Sequence, residues 1–374
     1  MHISVDTEGL VTAAPDTTIG QLLDHLMPLG WFVPVTPGTR EVSIAGAVAA
    51  DVHGKNHHAD GSLGQHVEAI RLVTPSGGPA TVTPTSDPEL FWATCGGMGL
   101  TGVITQVRFR AIPIGGSPML VDTWRTSDLE HTMDVLVETD GPFRYTVAWL
   151  DLLARGASLG RGVVTAGDHA PADGRERTSP SNLALPAPPA PSWTLNRLSI
   201  TAFNELWYRK APTRALGQPQ SVAEFFYPLD IAAGWNRLYG RGGFAQWQIA
   251  LPDGEEDLLR SLIERLAAAG VPSFLTVLKR FGPSSPGPLS FPLKGWTLAL
   301  DTPAGPTFPR ELFDGFDREV AAAGGRVYLA KDSRLDPALL PEMYPRLDEW
   351  RAVADRADPE RVLRSDLSER LSLR

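Results

Sequence analysis

Hydrophobic and polar positions alternate most clearly over residues 103–111. Val103, Thr105, Val107, Phe109 and Ala111 fall on one face, and Ile104, Gln106, Arg108 and Arg110 on the other, the period of a half-buried strand. "VEAIRLVTPSGGPATVTP" (67–84) predicts two strands around a Pro-Ser-Gly-Gly turn. "SDPELFWATCGG" (86–97) opens with Ser86 and Glu89 in capping-box spacing, predicting a helix that stops at Gly96 or Gly97. The C-terminal half predicts a strand at "FAQWQIALP" (244–252) and a helix at "DGEEDLLRSLIERLAAAG" (253–270), capped by Asp253 and stopped by Gly270. Strands follow at "SFLTVLKRF" (273–281) and "GWTLALDTP" (295–303), then a helix at "FPRELFDGFDREVAAAGG" (308–325) and a strand at "RVYLAKDS" (326–333). This β-α-β-β-α-β order is the split βαβ, or ferredoxin-like, pattern of an α+β protein. Its two helices would cover one face of an antiparallel sheet and leave the other to roof a site. Residues 170–192 are Pro-rich and lack periodicity, which predicts an exposed, mobile insertion, whereas "ITAFNELWYRK" (200–210) is expected to carry Trp207 into the protein body.

A length of 374 residues predicts two domains. The net charge of −9 argues against a nucleic-acid partner, which demands a surplus of Lys and Arg, and weakly against attraction to an anionic membrane. The single cysteine, Cys95, excludes an internal disulfide and a Cys-rich zinc site, and is expected to be a small buried apolar side chain. No apolar run spans a bilayer, and "MHISVDTEGL" has neither a basic region nor an apolar core of a signal peptide. A cytoplasmic or cell-envelope-associated protein is the corresponding expectation.

The densest chemistry lies in "AADVHGKNHHADGSLGQHV" (49–67), with four histidines, Lys55 and three glycines. His53, His57 and His58 have spacings of four and one, and glycines at 54, 61 and 64 oppose the helix that a zincin-type pair requires. No nucleotide-binding glycine motif of named type is present. Three glycine-containing pieces, "PGTREVSIAG", "DVHGKNHH" and "GGMGLTGVI", recur within the first 104 residues. They suggest backbone laid against one extended cofactor, because glycine permits close approach to a planar or charged ligand; a polar, hydrogen-bonded loop is the alternative.

The order of "PGTREVSIAGAVAADVHGKNHHADGSLGQHV", "ELFWATCGGMGLTGVI", "ELWYRK", "PLD", "FGP", "PLSFP", "AKDSR" and "YPRLDEW" resembles the FAD-dependent decaprenylphosphoryl-β-D-ribose oxidases. These are vanillyl-alcohol-oxidase-like flavoenzymes, alongside alditol and aldonolactone oxidases, and the similarity runs from about residue 3 to the C-terminus. The resemblance implies the second lobe of a PCMH-type FAD-binding domain at 1–115, a ferredoxin-like substrate domain at 116–335, and a helical segment at 336–374 returning to the FAD domain. It implies noncovalent FAD lined by Gly38, Thr39, Val42, Ser43, Gly46, His53, Gly54 and Ile104, with Lys331 near the flavin, where a positive charge stabilises the reduced anion. The substrate pocket implied comprises Lys55, Trp207, Phe226, Gln246, Gln248, Lys279 and Tyr328. Gln246 and Gln248, two apart on one strand, face the same way. Lys55 and Lys279 suit a phosphodiester.

The reaction implied is hydride transfer from a sugar C2 to flavin N5 in arabinan precursor synthesis, with His53 and Lys331 as candidates for receiving the hydroxyl proton. The partners implied are a polyprenyl-phosphate sugar, a short-chain reductase that completes an epimerisation, and peripheral membrane contact through the substrate. An alditol or aldono-1,4-lactone oxidase, and a shortened non-catalytic paralogue or partner subunit, are the competing expectations. Departures from the family pattern are Ala299 in place of a pocket cysteine, Ala45 in place of a glycine, and a start downstream of the lobe carrying the FAD pyrophosphate loop. The last leads to the expectation of a misassigned or truncated start and weakened FAD affinity.

Overall fold

The computed structural model describes residues 3–116, 118–172, 185–186, 196–228, 230, 232–233, 237, 239, 242–306 and 308–374. Most of the Pro-rich stretch, residues 173–184 and 187–192, lies outside them. Two sheets dominate. The first is antiparallel, in the order β1 (Ile3–Val5), β2 (Leu10–Ala13), β6 (Val103–Arg110), β4 (Val67–Thr74) and β5 (Gly78–Val82). A two-stranded ribbon of β3 (Trp31–Phe32) and β7 (Ile112–Pro113) joins it.

Helices α1 (Ile19–Leu26), α2 (Ile44–Ala49) and α4 (Pro88–Thr94) accompany this sheet, with the single turn α3 (His57–Asp60). Helix α1 is closed by a Thr18–Gln21 capping box, and its Ile19, Leu22, Leu23 and Leu26 are fully buried at one-face spacing.

Two local expectations are corrected. The alternation across β6 breaks: Val103 is 57% exposed whereas Ile104 is buried with Val107 and Phe109. An irregularity in the β4–β6 register between Arg71 and Leu72 turns Ile104 inward, as a bulge does. Helix α4 is capped by Asp87 rather than Ser86, because Pro88 takes the first helical position and Asp87 accepts from Leu90 N at 3.1 Å.

The second sheet has eight strands in the order β12 (Arg214–Gln220), β8 (Met119–Thr126), β10 (Gly162–His169), β9 (Tyr145–Leu150), β15 (Thr276–Phe281), β16 (Gly295–Pro303), β14 (Phe244–Pro252) and β17 (Arg326–Val327). With α8 (Glu256–Ala269) and α9 (Arg310–Ala322), β14 to β17 form the expected split βαβ unit. With α5 (Leu129–Asp140) and α6 (Arg197–Lys210), strands β8, β9, β10 and β12 repeat the same connectivity and spatial order. The halves meet where β9 pairs antiparallel with β15, Ala148 opposite Leu278.

Helix α8 stops at Gly270 with φ +69°, but its N-cap is Glu255, because Asp253 instead pairs with Arg280 at 2.9 Å. Only Arg326–Val327 of "RVYLAKDS" is strand; Leu329–Lys331 forms a 3₁₀ turn.

Trp247, Ile249, Leu251, Leu278, Leu298 and Leu300 are buried in one cluster with residues of α8 and α9. Strand alternation therefore sends Gln246, Gln248, Thr297, Asp301 and Lys279 to the opposite face. Short elements complete the chain: α7 (Val222–Phe226), the pair β11 (Leu185–Pro186) and β13 (Ala232–Ala233), and α10 (Leu340–Met343), α11 (Leu347–Ala357) and α12 (Asp366–Arg370). Helix α11 packs on α4, and Trp350 Nε1 donates to Ala93 O at 3.0 Å. No described helix is long and apolar enough to cross a membrane.

Leu278 is fully buried at the junction of the two halves. Leu278→Ala should cost about 2–5 kcal/mol, from lost transfer energy and the cavity left behind, read by urea unfolding with an unchanged m value.

Candidate active site

The polar face of the eight-stranded sheet meets the loop of residues 50–66 from the first domain. That loop is clamped at several points. Asp60 receives a two-pronged contact from Arg144 at 2.7 and 2.8 Å, and Asn56 Nδ2 donates to Pro34 O at 2.8 Å. His58 Nε2 donates to Phe143 O at 2.9 Å and His66 Nε2 to Asp60 O at 2.9 Å. His57 Nδ1 accepts from Gly282 N at 3.1 Å, and burial takes its pKa down to about 3, so the ring is neutral. These three histidines anchor the loop.

His53 is 8% exposed and packed among Phe281, Phe291 and Tyr328 at centroid distances of 4.8, 5.5 and 5.2 Å. A proton inventory assigns its state. Thr297 Oγ1 donates to Ile249 O at 2.7 Å, so toward Gln248 it can only accept, and Gln248 presents its NH₂ there at 3.0 Å. The same NH₂ lies 2.9 Å from His53 Nε2, which must therefore be the acceptor. The imidazole is neutral and protonated on Nδ1, a buried donor with no hydrogen-bond partner among the described residues. Burial first, then the charges of Lys279, His57 and Lys331, holds its pKa well below the usual value.

Three lysines share this recess. Lys55 Nζ donates to the Phe225 carbonyl and stands 4.2 Å from the Phe225 ring centroid and 5.8 Å from that of Phe226. Lys279 Nζ lies 3.4 Å from Gly54 O. Each of the three, Lys331 included, is surrounded by protein yet keeps part of its surface open, as the lining of a recess does. Burial lowers the pKa of Lys55 and of Lys279 to about 7; for Lys279 the charges of Lys331 and Lys55 add to it. Lys331 is lowered too, by burial against the opposing pull of Asp301. Asp301 is 3% exposed, accepts from Gln246 Nε2 at 2.9 Å through Oδ1, and leaves Oδ2 unpartnered. Burial pushes its carboxyl pKa up. Among the described residues no carboxylate forms an ion pair with any of the three lysines.

The structure thus gathers His53, Gly54, Lys55, Phe226, Gln246, Gln248, Lys279, Tyr328 and Lys331. Ala299 pairs with Gln248 across the strands, which places it on the same face. Gly38 on the approach to α2 and Gly46 within it are exposed, and Thr39, Val42 and Ser43 before the helix are half-buried. Ser43 caps α2 by accepting from Gly46 N at 3.2 Å, and Thr39 Oγ1 donates to Asp230 at 3.1 Å. Ile104 lies in the core with Ile44, Ala47 and Val48 of α2. The close approach that requires glycine at 54 is to protein: a Cβ there would stand 3.0 Å from Thr36 O and 2.6 Å from Asn56 Oδ1.

Trp207 departs from expectation. It is 43% exposed and stacked on Phe203, because α6 turns Ile200, Asn204 and Tyr208 toward the body. Asn204 donates to Asp151 at 2.8 Å and Tyr208 to Thr126 O at 3.1 Å, and these bonds set the helix rotation. Sequence reasoning missed Asp301, Thr297 and Phe281, although the period-2 reading of "GWTLALDTP" puts Thr297, Ala299 and Asp301 on one face.

These residues fit a bound flavin dinucleotide: a buried N–H on His53 and three lysines that, among the described residues, form no ion pair with a carboxylate. Residues 1–83 match the family described as FAD binding domain, and residues 302–371 match D-arabinono-1,4-lactone oxidase. Fold and site define an FAD-dependent oxidoreductase. The decaprenylphosphoryl-β-D-ribose oxidase of Mycolicibacterium smegmatis is 37% identical across 97% of this chain and 81% of its own length. An uncharacterized Streptomyces coelicolor protein from the mprA 5′ region is 42% identical across 95% of this chain and 100% of its own. The chain belongs to the decaprenylphosphoryl-β-D-ribose oxidase family. The solved chitooligosaccharide oxidase shares the fold, with a TM-score of 0.67 at 14% identity over 96% of this chain and 78% of that one.

Two outcomes follow from the site. Gln248→Ala leaves His53 Nε2 buried without its donor and should cost about 1–3 kcal/mol in thermal or urea unfolding. Lys55 and Lys279 titrate near 7 when folded but near 10.5 when unfolded, so between those values the unfolded chain holds more protons. Stability of the cofactor-free protein should therefore rise from pH 7 to about pH 9, and Lys279→Met should flatten the rise in a melting-temperature series.

Proposed function

We propose that this protein oxidises the C2 hydroxyl of a polyprenyl-phosphate pentose, using noncovalently held FAD. The observation that carries the reading is the trio Lys55, Lys279 and Lys331, cationic groups without carboxylate partners beside a wall of hydrogen-bonding side chains. When bound, FAD supplies the two-electron acceptor that takes the C2 hydrogen as hydride. Lys55 and Lys279 set positive charge against a phosphodiester, and Gln246 with Asp301 offers polar groups to sugar hydroxyls.

The hydroxyl proton goes to Lys331, whose amine is made more acidic than an ordinary lysine by burial, against the opposing charge of Asp301. His53 cannot serve, since its Nε2 lone pair is taken by Gln248; its Nδ1–H acts as a donor instead. The only cysteine in the sequence, Cys95, is fully buried in a hydrophobic core, which argues against a cysteinyl flavin link. Leu198, Phe203, Leu206 and Trp207 are exposed on α6 beside Arg209 and Lys210, which supports contact with a lipid surface that holds the prenyl chain. A short-chain reductase would consume the resulting ketone and complete an epimerisation.

An aldonolactone oxidase is the second reading, favoured by the match of residues 302–371, which include Tyr328 and Lys331. The two separate on the phosphate. In dye-reduction assays of the FAD-loaded protein, Lys55→Met and Lys279→Met should each raise KM for a prenylphosphoryl-ribose about 10–100-fold, the loss of one charge-assisted contact. They should leave a free lactone unaffected. Turnover of free alditol or lactone alone would overturn the first reading.

A further inference from the structure

The His53 loop begins at a residue that the chemistry above does not use. Asp51 is fully buried, and its φ of +40° lies in the left-handed region that non-glycine residues rarely occupy. Its Oδ2 accepts from Ser62 Oγ at 2.8 Å, Ser285 Oγ at 2.8 Å and Ser290 Oγ at 2.6 Å, while Oδ1 accepts from Gly64 N at 2.9 Å. Among the described residues no arginine, lysine or histidine forms an ion pair with it. Four donors, three of them hydroxyls, surround a carboxylate that would otherwise carry a large burial penalty. Glycine at 64 accommodates it, since a Cβ there would stand 2.8 Å from Oδ1.

These donors come from both domains. Ser62 and Gly64 belong to the His53 loop, whereas Ser285 and Ser290 lie between β15 and β16. Ser290 O accepts from Arg326 Nη1 at 2.7 Å. The next residue, Phe291, stacks on Tyr328 at 4.6 Å, and both rings flank His53. Tyr328 Oη donates to Ala50 O at 3.0 Å, one residue before Asp51. The circuit closes: Ala50 and Asp51 hold Ser290 and Tyr328, and these hold the rings that fix His53.

We infer that Asp51 is a positioning residue, an anionic latch that holds segment 285–291 to the first domain and thereby sets the ring of His53. The inference rests on the reading of the His53–Lys331 recess as the active site. A carboxylate is suited to this role because one oxygen accepts from three hydroxyls while the other accepts an amide. A carboxamide has one accepting oxygen and must turn its NH₂ toward one of those two sets.

The test uses the full chain loaded with FAD, in two forms besides the parent. The double variant Ser285→Ala, Ser290→Ala keeps the carboxylate with its Ser62 and Gly64 donors, and Asp51→Asn keeps the shape but removes the charge. Amide hydrogen exchange over residues 287–291 should be at least ~10-fold faster in both, because a hydrogen-bonded closure has been loosened. With a short-chain prenylphosphoryl-ribose and a reducible dye, kcat should fall about 10-fold or more while KM and FAD affinity stay within roughly twofold, the signature of misplacement without lost binding. Unchanged exchange over 287–291, or a kcat that falls only in step with the FAD-loaded fraction, would overturn the latch. If the parent protein neither holds FAD nor turns over the sugar, the functional reading fails instead, and the exchange measurement still decides whether the latch exists.

Discussion

Three ammonium groups in one recess, faced by a single carboxylate that forms no ion pair with them, are the constraint around which the remainder of this protein is arranged. Like charges held in a low-dielectric space repel and lose hydration, so this arrangement is unfavourable for folding taken alone. The protein lowers the cost by letting the lysines lose protons readily, and by supplying local acceptors: the Phe225 carbonyl for Lys55 and the Gly54 carbonyl for Lys279. Bound anions would offset the rest. Such a site stores unsatisfied positive potential for a ligand, and the neutral His53 beside it adds a directed N–H.

The architecture supplies the room. Two split βαβ units set edge to edge make a platform eight strands wide, and the described hydrophobic packing of α8 and α9 is confined to one of its faces. The other face can then carry Lys279, Thr297, Asp301, Gln246 and Gln248, side chains that a sheet packed by helices on both sides could not accommodate. Loop 50–66 reaches that face from the first domain. Its clamps are mostly directional hydrogen bonds rather than apolar packing, which suits a segment whose orientation matters more than its buried area.

Glycine and histidine changed meaning between chain and fold. The sequence reading of Gly54 is a place where backbone approaches a flat ligand, yet the atoms that exclude a Cβ there belong to Thr36 and Asn56, just as those at Gly64 belong to Asp51 and Cys95. His57, His58 and His66 are hydrogen-bonded anchors to backbone groups, whereas His53 accepts from the side chain of Gln248 and packs among Phe281, Phe291 and Tyr328. Nothing in residue type separates these four; the separation comes from which groups each ring meets.

Periodicity in the chain determined the second split βαβ unit, the helix stop at Gly270 and the shared face of Gln246 and Gln248, because these depend on local dihedrals and on strand alternation. The family resemblance implied a lysine near the flavin, Lys331, and two in the substrate pocket, Lys55 and Lys279; that their charges act on one another comes from the fold. The matching first unit is not legible in the chain, since the Pro-rich stretch interrupts it between β10 and α6, and α6 buries little more than Ile200 and Asn204. Tertiary structure alone decided the rest. Trp207 faces outward because Asn204 and Tyr208 are held by Asp151 and Thr126 from other elements. Ile104 faces inward because β4 imposes a bulge. Asp51 becomes the meeting point of four donors drawn from positions up to 239 residues away in sequence. Each of these outcomes depends on partners that no short window of sequence contains.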